Sequence, residues 1–164
     1  MQITTELVKQ LRDKTGVSVM QCQKALVETD GDIDKAVALL AEKSAEIASK
    51  KGDRALSAGA IGSYVHSTGT VGTMVELLCE TDFVANNEEF KKLAKDIAMQ
   101  VSATNPQYLK GEDVPEGGEK ESALLLQPFI KNPDVTIINL IQTAVQKFGE
   151  NIELSRFIRY SVSK

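Results

Sequence analysis

The sequence predicts an α+β protein, a three-helix N-terminal module followed by a small core of order β, β, α, α, β built on an antiparallel sheet. Three observations carry this. Residues 1–45 repeat a capping signal before a short apolar stripe three times, residues 58–80 alternate with a period of two, and the rest of the chain returns to helical spacing before a last alternating stretch.

Thr4 or Thr5 caps a first helix that buries Ile3, Leu7 and Leu11 and stops at Gly16. Ser18 and Gln21 have capping-box spacing and open a second helix with Met20, Cys22, Ala25 and Leu26 inside. Asp32 caps a third after the Gly31 turn, with Ile33, Ala36, Val37 and Leu40 on one side. Three such helices share one small core, assigned to residues 1–45. Residues 46–57 then lose large apolar side chains except Ile47 and Leu56 and gain Lys50, Lys51 and Arg54, the composition of a partly helical, solvated linker.

Residues 58–164 form the second unit. Ile61, Ser63 and Val65 alternate with Gly62, Tyr64 and His66, and Val71 to Cys79 continue the period, with a three-residue hairpin loop at Ser67, Thr68 and Gly69. That loop sets Val65 opposite Val71 and Ile61 opposite Val75. The odd-numbered face is then expected to lie under helices, and Tyr64, Met74 and Leu78 to form a partly apolar open face suited to a homodimer. Asn86 or Asn87 caps a helix that buries Phe90, Leu93, Ala94, Ile97, Ala98 and Val101. Residues 105–121 read as loop, residues 137–148 as a helix ended by Gly149, and Ile152 to Val162 as a final strand.

Chemistry is harder to find. One histidine, His66, and two distant cysteines, Cys22 and Cys79, give no zinc spacing, and the cysteines read as buried, reduced thiols of a cytoplasmic protein. A Cys79/His66 dyad fails on distance, because the two sit roughly 30 Å apart along the hairpin at ~3.3 Å per residue. The chain has no phosphate-binding glycine motif, so no cofactor is expected. Carboxylate pairs such as Glu76/Glu80 and Glu88/Glu89 occupy ordinary charged positions and are expected to be solvated. A net charge of −4 argues against nucleic acid as a direct partner. No apolar run approaches the ~20 residues of a membrane span, and the N-terminus lacks an export pattern. A binding protein, not an enzyme, is expected.

The most informative stretch is Cys79-Glu80-Thr81-Asp82-Phe83-Val84-Ala85-Asn86-Asn87, which joins a strand to a capped helix. Two readings compete there. Asp82 stabilises a turn while Phe83 and Val84 complete the core, or Phe83 projects as an aromatic anchor beside an acidic group and enters a partner's pocket.

This stretch resembles the C-E-T-D-F-V-A-R-N-E-E-F motif of the elongation factor Ts family. The resemblance spans nearly the whole chain. Thr15 to Leu26 is similar to T-G-A-G-M-M-D-C-K-K-A-L, and Gly59 to His66 to G-x-I-x-x-Y-I-H. Leu125 to Lys131 resembles L-x-x-Q-P-F, and Gly149 to Tyr160 resembles G-E-N-I-x-x-x-R-F-x-R. The chain departs from these motifs with Val19 for Met, Gln21 for Asp, Gln23 for Lys and Asn86 for Arg or Lys. It is also short between Val101 and Leu124, where long members insert a second core half and a helical hairpin.

The resemblance implies a ubiquitin-associated-like first module, an α+β exchange-factor core and guanine nucleotide exchange on elongation factor Tu. It implies that Arg12, Val19 and Met20 contact the GTPase, and that Thr81, Asp82, Phe83 and Val84 dislodge the nucleotide's Mg²⁺ in that partner. The alternative from another class is a small adaptor whose three-helix module binds a ubiquitin-like or peptide ligand. An adaptor has no use for Thr81-Asp82-Phe83-Val84.

Overall fold

A computed structural model describes residues 2–162. In chain order the elements are α1 (Thr5–Thr15), α2 (Val19–Glu28), α3 (Ile33–Lys51), β1 (Ala58–Val65), β2 (Val71–Cys79), α4 (Asp82–Ala85), α5 (Glu88–Thr104), β3 (Pro128–Phe129), β4 (Asn132–Thr136), α6 (Ile137–Phe148) and β5 (Glu153–Ser161). The fold is α+β.

Local chemistry places the first three helices. The Thr4 hydroxyl accepts from the Leu7 amide, and α1 ends where Gly16 takes φ 70° and donates to the Arg12 carbonyl at 2.7 Å. Ser18 caps α2 and donates its own proton to the Gln21 side chain at 3.0 Å. Asp32 caps α3, and its bond from the Lys35 amide holds the carboxyl below its ordinary range. Leu11, Val17, Cys22, Ala25, Leu26, Ala36 and Leu40 form the core between them. Met20, expected inside, is exposed instead, because the buried stripe of α2 runs through Cys22, Ala25 and Leu26 and a residue two before Cys22 faces away from it. Helix α3 continues to Lys51, so residues 46–57 open as helix and turn into connector after Gly52.

The three-stranded antiparallel sheet has the order β1-β2-β5. Its hairpin register differs from the expected one by a single residue: Val65 pairs with Gly72 and Ile61 with Glu76. The reason is the loop. His66 donates to the Val71 carbonyl and closes a four-residue turn over residues 67–70, in which Gly69 has φ 70° and the Thr68 and Thr70 hydroxyls bond at 2.7 Å. One extra loop residue turns β1 over relative to β2. Thr73, Val75, Leu77 and Cys79 therefore share the covered face with Ala58, Ala60, Gly62 and Tyr64. Ile61 and Val65, expected inside, are exposed beside Met74, Ile158 and Tyr160 on the open face, and Tyr64 leaves that face.

Gly62 shows why β1 sits this way round. A Cβ built there would lie 2.3 Å from the backbone of Ala94, so α5 rests directly on the strand. Phe90, Ala94, Ile97, Ala98 and Val101 of α5 fill the main core with Leu124, Ile137, Ile141 and Val145.

The hairpin β3–β4 and three short 3-10 turns between residues 111 and 126 occupy the stretch read as loop and its continuation. Gln100, fully buried on α5, holds them. Its amide donates to Gln127 and to the Pro128 carbonyl, and its oxygen accepts from the Ile130 amide at 2.9 Å.

The two cores are separate clusters joined by polar contacts. Helix α3 packs on α6, with the buried Ser44 hydroxyl donating to Gln146 at 2.7 Å. Lys14 pairs with Asp134 at 3.2 Å, and the Asn132 side-chain Nδ2 donates to the Lys14 carbonyl.

Candidate functional site

Strand β2 ends at Cys79 and the chain must turn to enter α5. Thr81 caps the single turn of α4: its hydroxyl oxygen accepts from the Val84 amide at 3.4 Å and its proton goes to Glu150 Oε2 at 2.6 Å. Successive helical residues point about 100° apart. Val84 and Ala85 turn inward onto the core, at 3% and 6% exposure, while Asp82 and Phe83 turn out. Asn87 then caps α5 through the Glu89 amide.

Phe83 is 86% exposed, the most open large apolar side chain among the described residues, whereas Phe90 seven positions on is fully buried. Of the two readings of this stretch, Val84 fits the core and Phe83 does not. A phenylalanine held in water forgoes about 1.5–3 kcal/mol of burial. The backbone that carries it is held on both sides, by the Thr81 cap and by the burial of Val84 in the core.

Cys79 lies beneath this turn. Burial pushes its thiol up, the nearby Glu150 charge adds to that, and the thiol donates to the Thr81 carbonyl at 3.3 Å. A thiol in such surroundings holds its proton more firmly than a free cysteine, the opposite of what an activated nucleophile needs. His66 sits at the far end of the hairpin, bonded to Thr68 at 3.0 Å. Glu76 and Glu80, expected to be solvated, have built partners: Arg156 and Ser155 for Glu76, Asn151 for Glu80. Among the described residues no group of three or more His, Cys, Asp or Glu is placed to hold a metal.

Arg12 lies in the last turn of α1, and Val19 and Met20 in the first turn of α2, all three exposed at the corner between the helices. Val27, not singled out from the sequence, is 60% exposed two turns along α2 from Met20 and extends this apolar surface. The signal was available: positions 20 and 27 are seven apart, so they share a helix face, and both stand off the buried stripe. The site and the corner belong to different cores. Their relative placement is fixed by the α3–α6 packing and the Lys14–Asp134 contact.

Among the described residues no helix is long and apolar enough to cross a membrane.

The family model described as elongation factor TS matches residues 1–119. Elongation factor Ts of Thermodesulfovibrio yellowstonii is 44% identical over 196 aligned positions, covering 100% of this chain and 98% of that protein. The elongation factors Ts of Heliobacterium modesticaldum and Desulfotalea psychrophila are each 42% identical over 195 positions, covering 99% of this chain and 91% and 99% of theirs. An alignment of 195 positions against 164 residues leaves at least 31 positions without a counterpart here. A helical corner with exposed apolar side chains, a sheet-to-helix turn carrying Thr81-Asp82-Phe83-Val84, and relatives aligned across nearly their full length agree, and the chain belongs to the elongation factor Ts family.

Proposed function

We propose that this protein is a non-enzymatic guanine nucleotide exchange factor that acts in the cytoplasm on elongation factor Tu and promotes GDP release during translation elongation. The observation that carries the reading is Phe83, 86% exposed on a turn whose next two side chains are buried. Exposed aromatic side chains held out on a fixed backbone suit the anchor role that dominates partner pockets. Here Thr81 and Val84 set the turn, and Asp82 and Phe83 meet the GTPase.

Bound GDP is held partly through Mg²⁺, which demands near-ideal octahedral geometry and so loosens on small displacements of its surroundings. Phe83 enters beside the nucleotide site and Asp82 perturbs the polar groups that support the ion. Arg12, Val19 and Met20 dock the first module on the same GTPase. No bond is made or broken in the factor, it needs no cofactor, and its acidic balance argues against non-specific binding of nucleic acid. The adaptor alternative gives Phe83 no role.

The open sheet face is the second contact surface. Ile61, Val65, Met74, Ile158 and Tyr160 flank a central Glu76–Arg156 pair, so apolar groups and both charge signs are present for a second copy turned by two-fold symmetry. A homodimer through this face is expected at tens of micromolar. Sedimentation equilibrium at that concentration yields a dimer, and a clean monomer contradicts it.

Exchange requires the factor to bind the nucleotide-free GTPase better than the GDP-bound one, and linkage then makes GDP weaken the factor's binding equally. Affinity for purified elongation factor Tu, measured by calorimetry with and without GDP, therefore falls when GDP is present. Equal affinities in the two states contradict the proposed function.

A further inference from the structure

The turn that presents Phe83 is too short to hold itself. A single helical turn fixes several dihedrals for one hydrogen bond and is unfavourable alone. What holds the start of α4 is a carboxylate from a distant part of the chain. Glu150, in the turn between α6 and β5, accepts from the Glu80 amide at 3.1 Å and the Thr81 amide at 3.0 Å through Oε1, and from the Thr81 hydroxyl at 2.6 Å through Oε2. The arrangement is reciprocal. Glu80 Oε1 accepts from the Asn151 backbone amide at 2.7 Å, so two turns far apart in the chain exchange carboxylates.

A third segment closes the network. Asn151 donates to the carbonyls of Gly52 and Arg54, Arg54 stands 3.6 Å from Glu80, and Lys51 and Arg54 each donate to the Gly149 carbonyl at 3.3 Å. The end of α3, the β2–α4 turn and the α6–β5 turn are thereby tied at one point.

Geometry gives Glu150 a specific task. The Thr81 hydroxyl has one proton and two lone pairs. Donating that proton to a carboxylate is a short, charge-assisted bond that fixes the hydroxyl rotor and leaves a lone pair for the Val84 amide. The cap of α4 thus depends on Glu150, and the direction of Asp82 and Phe83 depends on the cap.

Resting on the exchange reading above, we propose that Glu150 is a positioning residue for exchange: it does not reach the partner, and it aims Phe83 by clamping the Glu80–Thr81 backbone and the Thr81 hydroxyl. Its effect falls on the nucleotide-release step and not on docking, since Arg12, Val19 and Met20 sit on the other core.

The test is stopped-flow release of a fluorescent GDP from elongation factor Tu, with full-length protein titrated to saturation, beside a thermal melt of each variant. Glu150→Ala lowers the saturated release rate about tenfold or more, as small misplacements of an acting group do, with little change in the half-saturating concentration. Glu150→Gln restores most of the rate, because its oxygen accepts from the same amides and its NH₂ group bonds the Thr81 oxygen. Glu150→Asp, one methylene shorter and unable to reach both the Glu80–Thr81 amides and the Thr81 hydroxyl, repeats the loss in part and keeps the measurement decisive if Glu150→Ala does not fold. A wild-type saturated rate in folded Glu150→Ala overturns the proposal, as does a loss confined to half-saturation or a glutamine variant no better than alanine. Wild-type protein that releases no GDP overturns this proposal and the exchange reading together, which separates the two failures.

Discussion

Two phenylalanines seven residues apart have opposite environments, and their substitutions should separate function from stability. Phe90 is fully buried between α5 and the sheet, so Phe90→Ala is expected to cost about 3–5 kcal/mol in a denaturant or thermal melt. Phe83 is 86% exposed, so Phe83→Ala is expected to melt within about 0.5 kcal/mol of the parent protein. In the sequence Phe90 was legible as core from its helical spacing, whereas Phe83 was open to two readings, core or projecting anchor, and the motif favoured the second. The turn of α4 separates the two readings, because it points Val84 and Ala85 at the core and Phe83 away from it. Glu76 belongs at this scale too. The Ser155 hydroxyl and then Arg156 hold its carboxyl below the ordinary value of 4.5, so its contribution to stability is complete above that pH and is lost as the pH falls through the lowered value. Glu76→Gln should remove this part of the acid dependence in melts run from neutral pH downward.

At the scale of elements, the capping residues were readable because their chemistry is local: Thr4, Ser18, Asp32 and Asn87 each bond an amide two or three residues on. Strand register was not. It turned on one loop residue, and alternation alone fits either face of a strand whose odd and even positions both carry apolar groups. The glycines were the overlooked signal. Gly62 sits where α5 touches β1, and Gly62→Ala places a methyl group within 2.3 Å of the Ala94 backbone. It is expected to cost about 1–3 kcal/mol or more by pushing α5 off the sheet. Serine at the same position should behave alike, since the obstacle is the Cβ. The hairpin β3–β4 escaped sequence reading because it is two short strands held by Gln100, a buried amide whose partners lie 27 to 30 residues away.

For the whole molecule, the question is whether docking and probing surfaces act together. Val19 and Met20 belong to one core and Phe83 to the other, and the α3–α6 packing with Ser44–Gln146 and Lys14–Asp134 joins the two. A single cooperative melting transition is expected, and two resolved transitions by calorimetry would show that the modules move independently. The family was legible from motifs, while the junction was not, because its partners are ordinary polar residues more than a hundred positions apart in the case of Ser44 and Gln146. In the proposed function, this joined frame delivers Phe83 to the nucleotide site of elongation factor Tu. Stopped-flow release of fluorescent GDP at saturating factor tests it most directly. The wild-type chain should accelerate release far above the spontaneous rate, and Phe83→Ala, melting like the parent, should lose about tenfold or more of that saturated rate. No acceleration by micromolar wild-type protein, or an undiminished saturated rate with Phe83→Ala, would contradict it.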